Sequence, residues 1–280
     1  MTLRQALSEG FGLLSRAGVD TPVLDATVLL AEAMGVSKER LLADLPEEMA
    51  DSPYAEFRRY LSMRLQGLPV SYIRRKKEFY GLELYVDERV LVPRPETETL
   101  VEIALELARA SGGEPRLHDA CTGSGCIAVA CSRSLAAIEA SVSDISGAAL
   151  EVCALNCRRH LGRELPSAVS DLLSGVTGPF DLLTANPPYL TDAELEAMRS
   201  ARWPEPELAL AGGPDGTDLA RRLIREAPGL LSAGGSLVME IAPAQAAALS
   251  ADMERARYRD INVHPDLSGR DRVISGRRAA

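Results

Sequence analysis

The tetrapeptide Asn186-Pro187-Pro188-Tyr189 directly follows the apolar run Phe180-Asp181-Leu182-Leu183-Thr184-Ala185. The run reads as a buried strand, so the tetrapeptide falls at its carboxyl end, the edge of an open α/β sheet where ligands bind. Its chemistry suits a planar nitrogen whose lone pair is delocalised into a neighbouring carbonyl or aromatic ring, which makes it a poor nucleophile. The Asn186 side-chain carbonyl would accept one N–H. The backbone carbonyl of Pro187, a residue with fixed φ and no competing donor, would accept the other. The lone pair is then turned toward an electrophile. Pro188 biases Pro187 toward extended geometry, so both acceptors are set before a substrate arrives, and Tyr189 is expected to close over the flat face of the bound group. The bland reading of the same four residues is a rigid turn after a strand.

A second constellation is Asp119-Ala120-Cys121-Thr122-Gly123-Ser124-Gly125, between a predicted strand and its helix. Glycines there let the backbone approach a ligand, and the helix N-terminus beyond supplies unpaired N–H groups. Such a turn also suits a dinucleotide. Two features favour S-adenosylmethionine. Asp119 stands just before the turn, where a cationic amino-acid ligand gains and a pyrophosphate is repelled. Asp144 ends the next strand, where it would accept from both ribose hydroxyls. Asp171 ends a third strand, within expected reach of an adenine amino group. The competing reading of each carboxylate is a helix N-cap.

Periodicity supplies the elements that must position these residues. From residue 116 onward strands and helices alternate: strands at 117–120, 138–143, 168–169, 180–185 and 236–240, helices at 126–135, 146–160, 217–231 and 244–257, and a terminal strand pair at 261–263 and 272–275. Strands spaced by helices imply an α/β fold with a mostly parallel sheet covered on both faces. Residues 190–216 read as a polar, Pro- and Gly-rich insertion. Before the sheet, residues 1–75 have helical periodicity, with Leu3, Leu7, Phe11 and Leu14 on one stripe, Leu24, Val28 and Leu29 on the next, and a third helix through Phe57, Tyr60 and Leu61. Residues 77–86 suit a short hairpin about Gly81. Acidic residues behind Pro93 and Pro95 open a helix running to about residue 110.

Composition narrows the function classes. The chain has 280 residues, 46% of them hydrophobic, which is room for one sizeable core and a smaller unit. A net charge of −9 argues against a nucleic-acid backbone as the main partner. The basic run Arg74-Arg75-Lys76-Lys77 reads as a solvated loop. No apolar run approaches the ~20 residues of a membrane span, and the N-terminus lacks the apolar core of a signal peptide, so a cytoplasmic location is expected. The five cysteines fit reduced thiols; Cys153 and Cys157 lie one helical turn apart but have no second ligand pair nearby, and no metal is expected.

The sequence resembles the PrmC/HemK family of protein-glutamine N-methyltransferases that modify peptide chain release factors. The resemblance runs through Phe79-Tyr80-Gly81, Leu91-Val92-Pro93-Arg94-Pro95-Glu96-Thr97-Glu98, Asn186-Pro187-Pro188-Tyr189, Glu205-Pro206, Ala209-Leu210, Gly212-Gly213-Pro214-Asp215-Gly216 and Asp266-Leu267-Ser268-Gly269-Arg270-Asp271-Arg272-Val273. It implies a Rossmann-like class I methyltransferase with a mostly parallel seven-stranded sheet, a small N-terminal helical bundle and a linking β-hairpin. The implied division is residues 1–75 for substrate docking, 76–92 for the hairpin linker and 93–280 for the S-adenosylmethionine-dependent domain. It implies that the turn of Cys121, Thr122, Gly123, Ser124 and Gly125 wraps the methionine part of the cofactor, with Asp119 near its amino group. Asp144 would hold the ribose, and Asp171 with Leu172 would frame the adenine. Asn186 and Pro187 would hold the glutamine amide, with Pro188 and Tyr189 beside it. The implied partner is a release factor, whose Gly-Gly-Gln glutamine is methylated, and the protein is expected to act as a monomer.

Three positions depart from the family pattern. Cys121 stands where the turn usually has its first glycine and is expected to fit without a positive φ. Arg75 and Ala242-Pro243 stand where relatives often have glycine. Other readings remain beside the leading one: a glutamine methyltransferase of a ribosomal protein, whose relatives share residues 85–94 and a cysteine in the turn; an adenine amino-group methyltransferase, since the same loop serves that planar nitrogen; and a cofactor-binding docking module without catalysis.

Overall fold

The structure is a computed structural model and describes residues 1–279. Two compact units are present, one of residues Met1–Lys76 with Arg202–Pro204, the other of the remainder from Lys77.

The first unit contains α1 (Leu3–Arg16), α2 (Pro22–Met34), α3 (Lys38–Ala43), α4 (Asp51–Leu65) and α5 (Val70–Arg74). A capping box starts α1: the Thr2 hydroxyl accepts from Gln5 N, and the Gln5 side chain accepts from Thr2 N. The buried stripe of α1 is Leu3, Ala6, Gly10 and Leu14 rather than one through Leu7 and Phe11. A Cβ at Gly10 would lie 2.6 Å from Phe57 Cζ, so the small residues let α4 press its one core phenylalanine against α1. Phe11, expected in the core, is 41% exposed, and Leu24 on α2 is 54% exposed. Leu29, Phe57 and Leu61 lie in the core as expected, joined there by Leu30 and Leu41. Arg75 ends α5 at φ 55°, the left-handed cap that glycine fills without strain, so the arginine keeps the glycine-type conformation there.

The second unit opens with a hairpin of β1 (Lys77–Phe79) and β2 (Leu82–Leu84). Tyr80 and Gly81 both have positive φ, the two-residue turn whose twist matches the flanking strands. A single 3-10 turn at Pro95–Thr97 leads into α6 (Glu98–Ser111). There follow β3 (Arg116–Ala120), α7 (Cys126–Ser134), β4 (Glu139–Asp144), α8 (Gly147–Leu161), β5 (Ser167–Val169), β6 (Phe180–Ala185), α9 (Asp192–Ser200), α10 (Asp218–Glu226), β7 (Leu231–Glu240), α11 (Ala246–Arg255), β8 (Tyr258–Pro265) and β9 (Asp271–Arg278).

Seven strands form one sheet in the order β5-β4-β3-β6-β7-β9-β8. The first five are parallel, while β9 runs antiparallel to both β7 and β8. The α/β class with a mostly parallel seven-stranded sheet is therefore as expected. Two details differ. The expected structureless insertion contains α9, started by a capping box between Thr191 and Glu194. Strand β7 begins at Leu231 rather than Ser236, carried through Gly234 and Gly235 past an irregularity in its pairing with β6. The chain winds outward from β3 to β5 and then crosses to β6 on the other side of β3. Ligands of open α/β sheets bind at that reversal, beyond the carboxyl ends of the strands.

Candidate active site

Register brings the two sequence constellations together. Ala120, the last residue of β3, pairs with Ala185, the last residue of β6. The turn beginning at Cys121 and the loop beginning at Asn186 therefore leave neighbouring strands at the same level. Between them and the segments around Arg94, Asp171 and Ala209 lies a cavity of about 400 Å³. Cys121, Thr122, Gly123, Ser124, Asp144, Asp171, Leu172, Asn186 and Pro188 line it. Asp119, Gly125, Pro187 and Tyr189 are not among its lining residues.

Backbone donors hold the end nearer β4. Asp144 Oδ2 accepts from Gly123 N at 2.8 Å, and Oδ1 accepts from Ser146 N at 2.9 Å. Burial raises the Asp144 carboxyl above its usual range, and these N–H groups act in the opposite direction. Each carboxylate oxygen keeps acceptor capacity beyond its one backbone donor. Ile145, 50% exposed, and Leu172, buried, supply apolar faces beside it. Buried Asn156 on α8 fastens the turn from behind, donating to Ser124 O at 2.9 Å and to Tyr85 O at 3.0 Å.

Two residues of this end carry backbone strain. Cys121 has φ 55° and Leu172 φ 53°, both left-handed. The expectation that Cys121 avoids a positive φ is corrected: the turn keeps the glycine-type conformation, and a cysteine is forced into it. A side chain there costs about 1–2 kcal/mol, which the surrounding bonds must hold down. The neighbouring Thr122 N bonds to Ser143 O at 3.1 Å, and Leu172 O accepts from the hydroxyls of Ser143 and Ser170. Burial keeps the Cys121 thiol protonated.

Asp119 takes a structural position. It is fully buried, with Thr122 donating to Oδ2 at 2.6 Å and Thr184 to Oδ1 at 2.8 Å. Burial pushes its carboxyl up to about 7. These two hydroxyls tie the turn to β6. Asp171 does line the cavity, but both its oxygens accept from Arg222 at 3.0 Å, an exposed pair at the rim.

At the other end, Asn186 Nδ2 lies 3.4 Å from Thr97 Oγ1, and the Thr97 hydroxyl donates to Glu240 Oε2 at 2.6 Å. Burial pushes the Tyr189 hydroxyl up to about 12, and the nearby Glu240 carboxyl acts in the same direction. The Tyr189 carbonyl accepts from Gln245 Nε2 at 3.1 Å, and the same nitrogen donates to Gly216 O at 2.9 Å. The returning insertion runs hard against this loop: a Cβ at Gly212 would lie 2.7 Å from Tyr189 Cα, and one at Gly216 would overlap the Tyr189 carbonyl oxygen. That contact explains two glycines of the Gly212–Gly216 stretch. Ala242, by contrast, has φ −75° and starts the turn that presents Gln245, so no glycine is required there. Glu205, buried, accepts from Val92 N at 2.9 Å and pairs with Arg94, which brings Pro206, Leu208 and Ala209 over the cavity.

Sequence reading missed Thr97, Asn156, Glu240 and Gln245 as parts of the site. Thr97 lies inside a motif, which was a signal. Asn156 and Gln245 sit on or beside helices with nothing in their neighbourhood to mark them.

Residues 5–74 match the family described as PrmC N-terminal domain, and residues 100–202 match the methyltransferase small domain. The chain is 41% identical over 279 residues to the release factor glutamine methyltransferase of Moorella thermoacetica, covering 98% of each chain. It is 37% identical over 281 residues to that of Deinococcus radiodurans, covering 100% of this chain and 99% of the other. Among solved structures, a methyltransferase from Pyrococcus furiosus aligns with TM-score 0.54 at 14% identity, over 73% of this chain and 92% of that one. At that identity the likeness speaks for the fold alone.

Proposed function

The chain belongs to the family of release factor glutamine methyltransferases, and on that premise we propose that it transfers one methyl group from S-adenosylmethionine to the side-chain amide nitrogen of the glutamine in the Gly-Gly-Gln loop of a peptide chain release factor. The observation that supports the reading is the pairing of Ala120 with Ala185, from which the turn at Cys121 and the loop at Asn186 leave at one level and both line one cavity.

The residues present fit the cofactor. Two ribose hydroxyls need a doubly accepting carboxylate, and Asp144 has one backbone donor on each oxygen with acceptor capacity left. An adenine ring needs apolar faces, which Ile145 and Leu172 provide; Cys121, Thr122, Gly123 and Ser124 line the place for the methionine part. When bound, S-adenosylmethionine supplies a methyl group activated by a sulfonium.

The chain's own contribution is positioning. Asn186 Oδ1 and the Pro187 carbonyl accept the two amide hydrogens, which lowers the cost of turning the nitrogen lone pair out of conjugation. A near-attack separation of about 3–3.5 Å follows from fixing both partners. No strong base is needed, because the amide proton becomes very acidic as the new bond forms. Residues 1–75 dock the release factor, the 76–92 hairpin links, and residues 93–280 catalyse. A protein partner rather than a nucleic acid accords with the net charge of −9, and the reading carries with it action as a monomer in the cytoplasm.

Incubation of the purified chain with S-adenosylmethionine and a release factor, followed by mass spectrometry of the Gly-Gly-Gln peptide, tests the proposal. A gain of one methyl group on the glutamine is expected. An unmodified peptide, alongside methylation of a ribosomal protein in a parallel reaction, would reassign the substrate.

A further inference from the structure

An asparagine can accept from the acceptor amide only if its oxygen, and not its NH2, faces the cavity; the two orientations have nearly the same shape. The surroundings of Asn186 decide between them. Thr97 is 1% exposed and has a single hydroxyl hydrogen, which lies on Glu240 Oε2 at 2.6 Å. Glu240 is itself 1% exposed and ends β7. Burial raises its carboxyl, and the Thr97 hydroxyl acts the other way by donating to it. The oxygen that accepts this hydrogen leaves Thr97 with no second hydrogen to offer. Thr97 Oγ1 therefore has only lone pairs left for Asn186, and the group that meets it must be a donor, Nδ2, at 3.4 Å. That leaves Oδ1 as the end free to serve the cavity.

We propose that Thr97 and Glu240 are positioning residues that fix the polarity of the Asn186 amide, so that its oxygen meets the acceptor nitrogen. Three chain segments far apart in sequence converge on this chain of bonds: the 3-10 turn before α6, the end of β7 and the loop after β6. The direction of every bond in it runs toward Glu240. Reversing any one of them turns the Asn186 NH2 into the cavity, where it opposes the hydrogens it should accept. The inference rests on the reading in which Asn186 grips the glutamine amide.

Steady-state methylation of a release factor by Thr97→Ser, Thr97→Val, Asn186→Ala and Asn186→Ala/Thr97→Val, with cofactor affinity by calorimetry, tests it. Thr97→Ser keeps the hydroxyl and should stay within about threefold of the parent kcat. Thr97→Val, of the same shape, should lower kcat at least ~30-fold while leaving KM for the release factor and cofactor affinity within about threefold. The double variant should lose nothing beyond Asn186→Ala, because polarity matters only while the amide is present. Should Thr97→Val not bind cofactor, Glu240→Gln decides. It keeps the shape but puts an N–H against the donating Thr97 hydroxyl, and a kcat about tenfold lower is expected. Parental kcat in Thr97→Val or in folded Glu240→Gln overturns the inference, as does a double variant in which the two losses multiply. If Asn186→Ala is inactive while Thr97→Val is fully active, only this inference falls. If Asn186→Ala keeps the parental rate, the underlying reading falls first.

Discussion

The two ends of the cavity are built in different ways. At the nucleoside end most fastenings are drawn from one stretch of chain: Gly123 and Ser146 onto Asp144, Asn156 onto Ser124, Thr122 onto Ser143, all within two successive strand-helix units. At the acceptor end Asn186 is reached from Thr97 and Glu240, and Tyr189 from Gln245, Gly212 and Gly216. A site whose parts are close in sequence forms with its own supersecondary unit. A site whose parts come from several distant segments exists only when the whole sheet is assembled. Affinity for the nucleoside should therefore depend on a few local residues, and turnover on a scattered set.

The largest expected effect separates the ends outright. Asn186→Ala removes the side-chain acceptor and should lower kcat by roughly a thousandfold or more, the size seen when a positioned catalytic group is lost. Cofactor affinity should stay within about twofold, since no bond at the Asp144 end leans on Asn186. Calorimetry and single-turnover methylation check both halves. A parallel fall in cofactor affinity would mean that the two ends are not separable.

Asp119 is where they join, because its oxygens take one hydroxyl from the turn, Thr122, and one from β6, Thr184, two residues before Asn186. Burial holds its carboxyl at about 7 against an ordinary 3.8. For a carboxyl raised by folding, the stability it permits is complete below 3.8 and is lost as pH rises through about 7, because the unfolded chain ionises first. The amide introduced by Asp119→Asn cannot ionise. The stability of that variant relative to the parent should therefore improve between pH 4 and pH 8 by up to about 4 kcal/mol, read from urea unfolding at the two pH values. A difference that does not change with pH would place the ionisation elsewhere.

A smaller effect sharpens the local character of the nucleoside end. Asp144→Ala deletes the carboxylate that accepts from both Gly123 and Ser146, and cofactor affinity should fall about a hundredfold, as expected for two charge-assisted hydrogen bonds. The kcat at saturating cofactor should fall far less. Calorimetry gives the first number and steady-state kinetics the second; equal losses in both would count against assigning Asp144 to ground-state binding.

The same contrast explains what the sequence disclosed. Strand ends followed by Asp144, Asp171 or Asn186 were legible because hydrophobic runs end there and the chemistry begins at the next residue. The sheet was legible because β3, β4 and β6 carry period and length together. Thr97 lies within a motif, but nothing local says that its hydroxyl points at a glutamate 143 residues away. Gln245 was invisible for the same reason. Phe11 was placed in the core by a spacing that Leu3, Ala6, Gly10 and Leu14 satisfy equally well; the close approach of Phe57 chose the stripe of small residues. The helix at Asp192–Ser200 had a readable start in Thr191 and Glu194, but the prolines and glycines after it dominated the reading.

Cys121 is the finest test of the comparison, because it sits at the local end and yet departs from the family pattern. Its φ of 55° is a conformation in which glycine carries no steric penalty, while a β-carbon costs about 1–2 kcal/mol. Replacing it with glycine relieves that strain but lets the unfolded chain explore more backbone states, which takes back about 0.4–1 kcal/mol. The cavity also loses the thiol's share of its lining. Cys121→Gly should therefore be stabilised by about 0–1.5 kcal/mol, with cofactor affinity changed less than about threefold and kcat hardly at all. Thermal unfolding with and without cofactor measures the first two. A tenfold gain in affinity would show that the strained cysteine holds the turn away from its best fit to the nucleoside. A tenfold loss would show that the side chain packs against it, making the local end depend on this family departure as much as on Asp144.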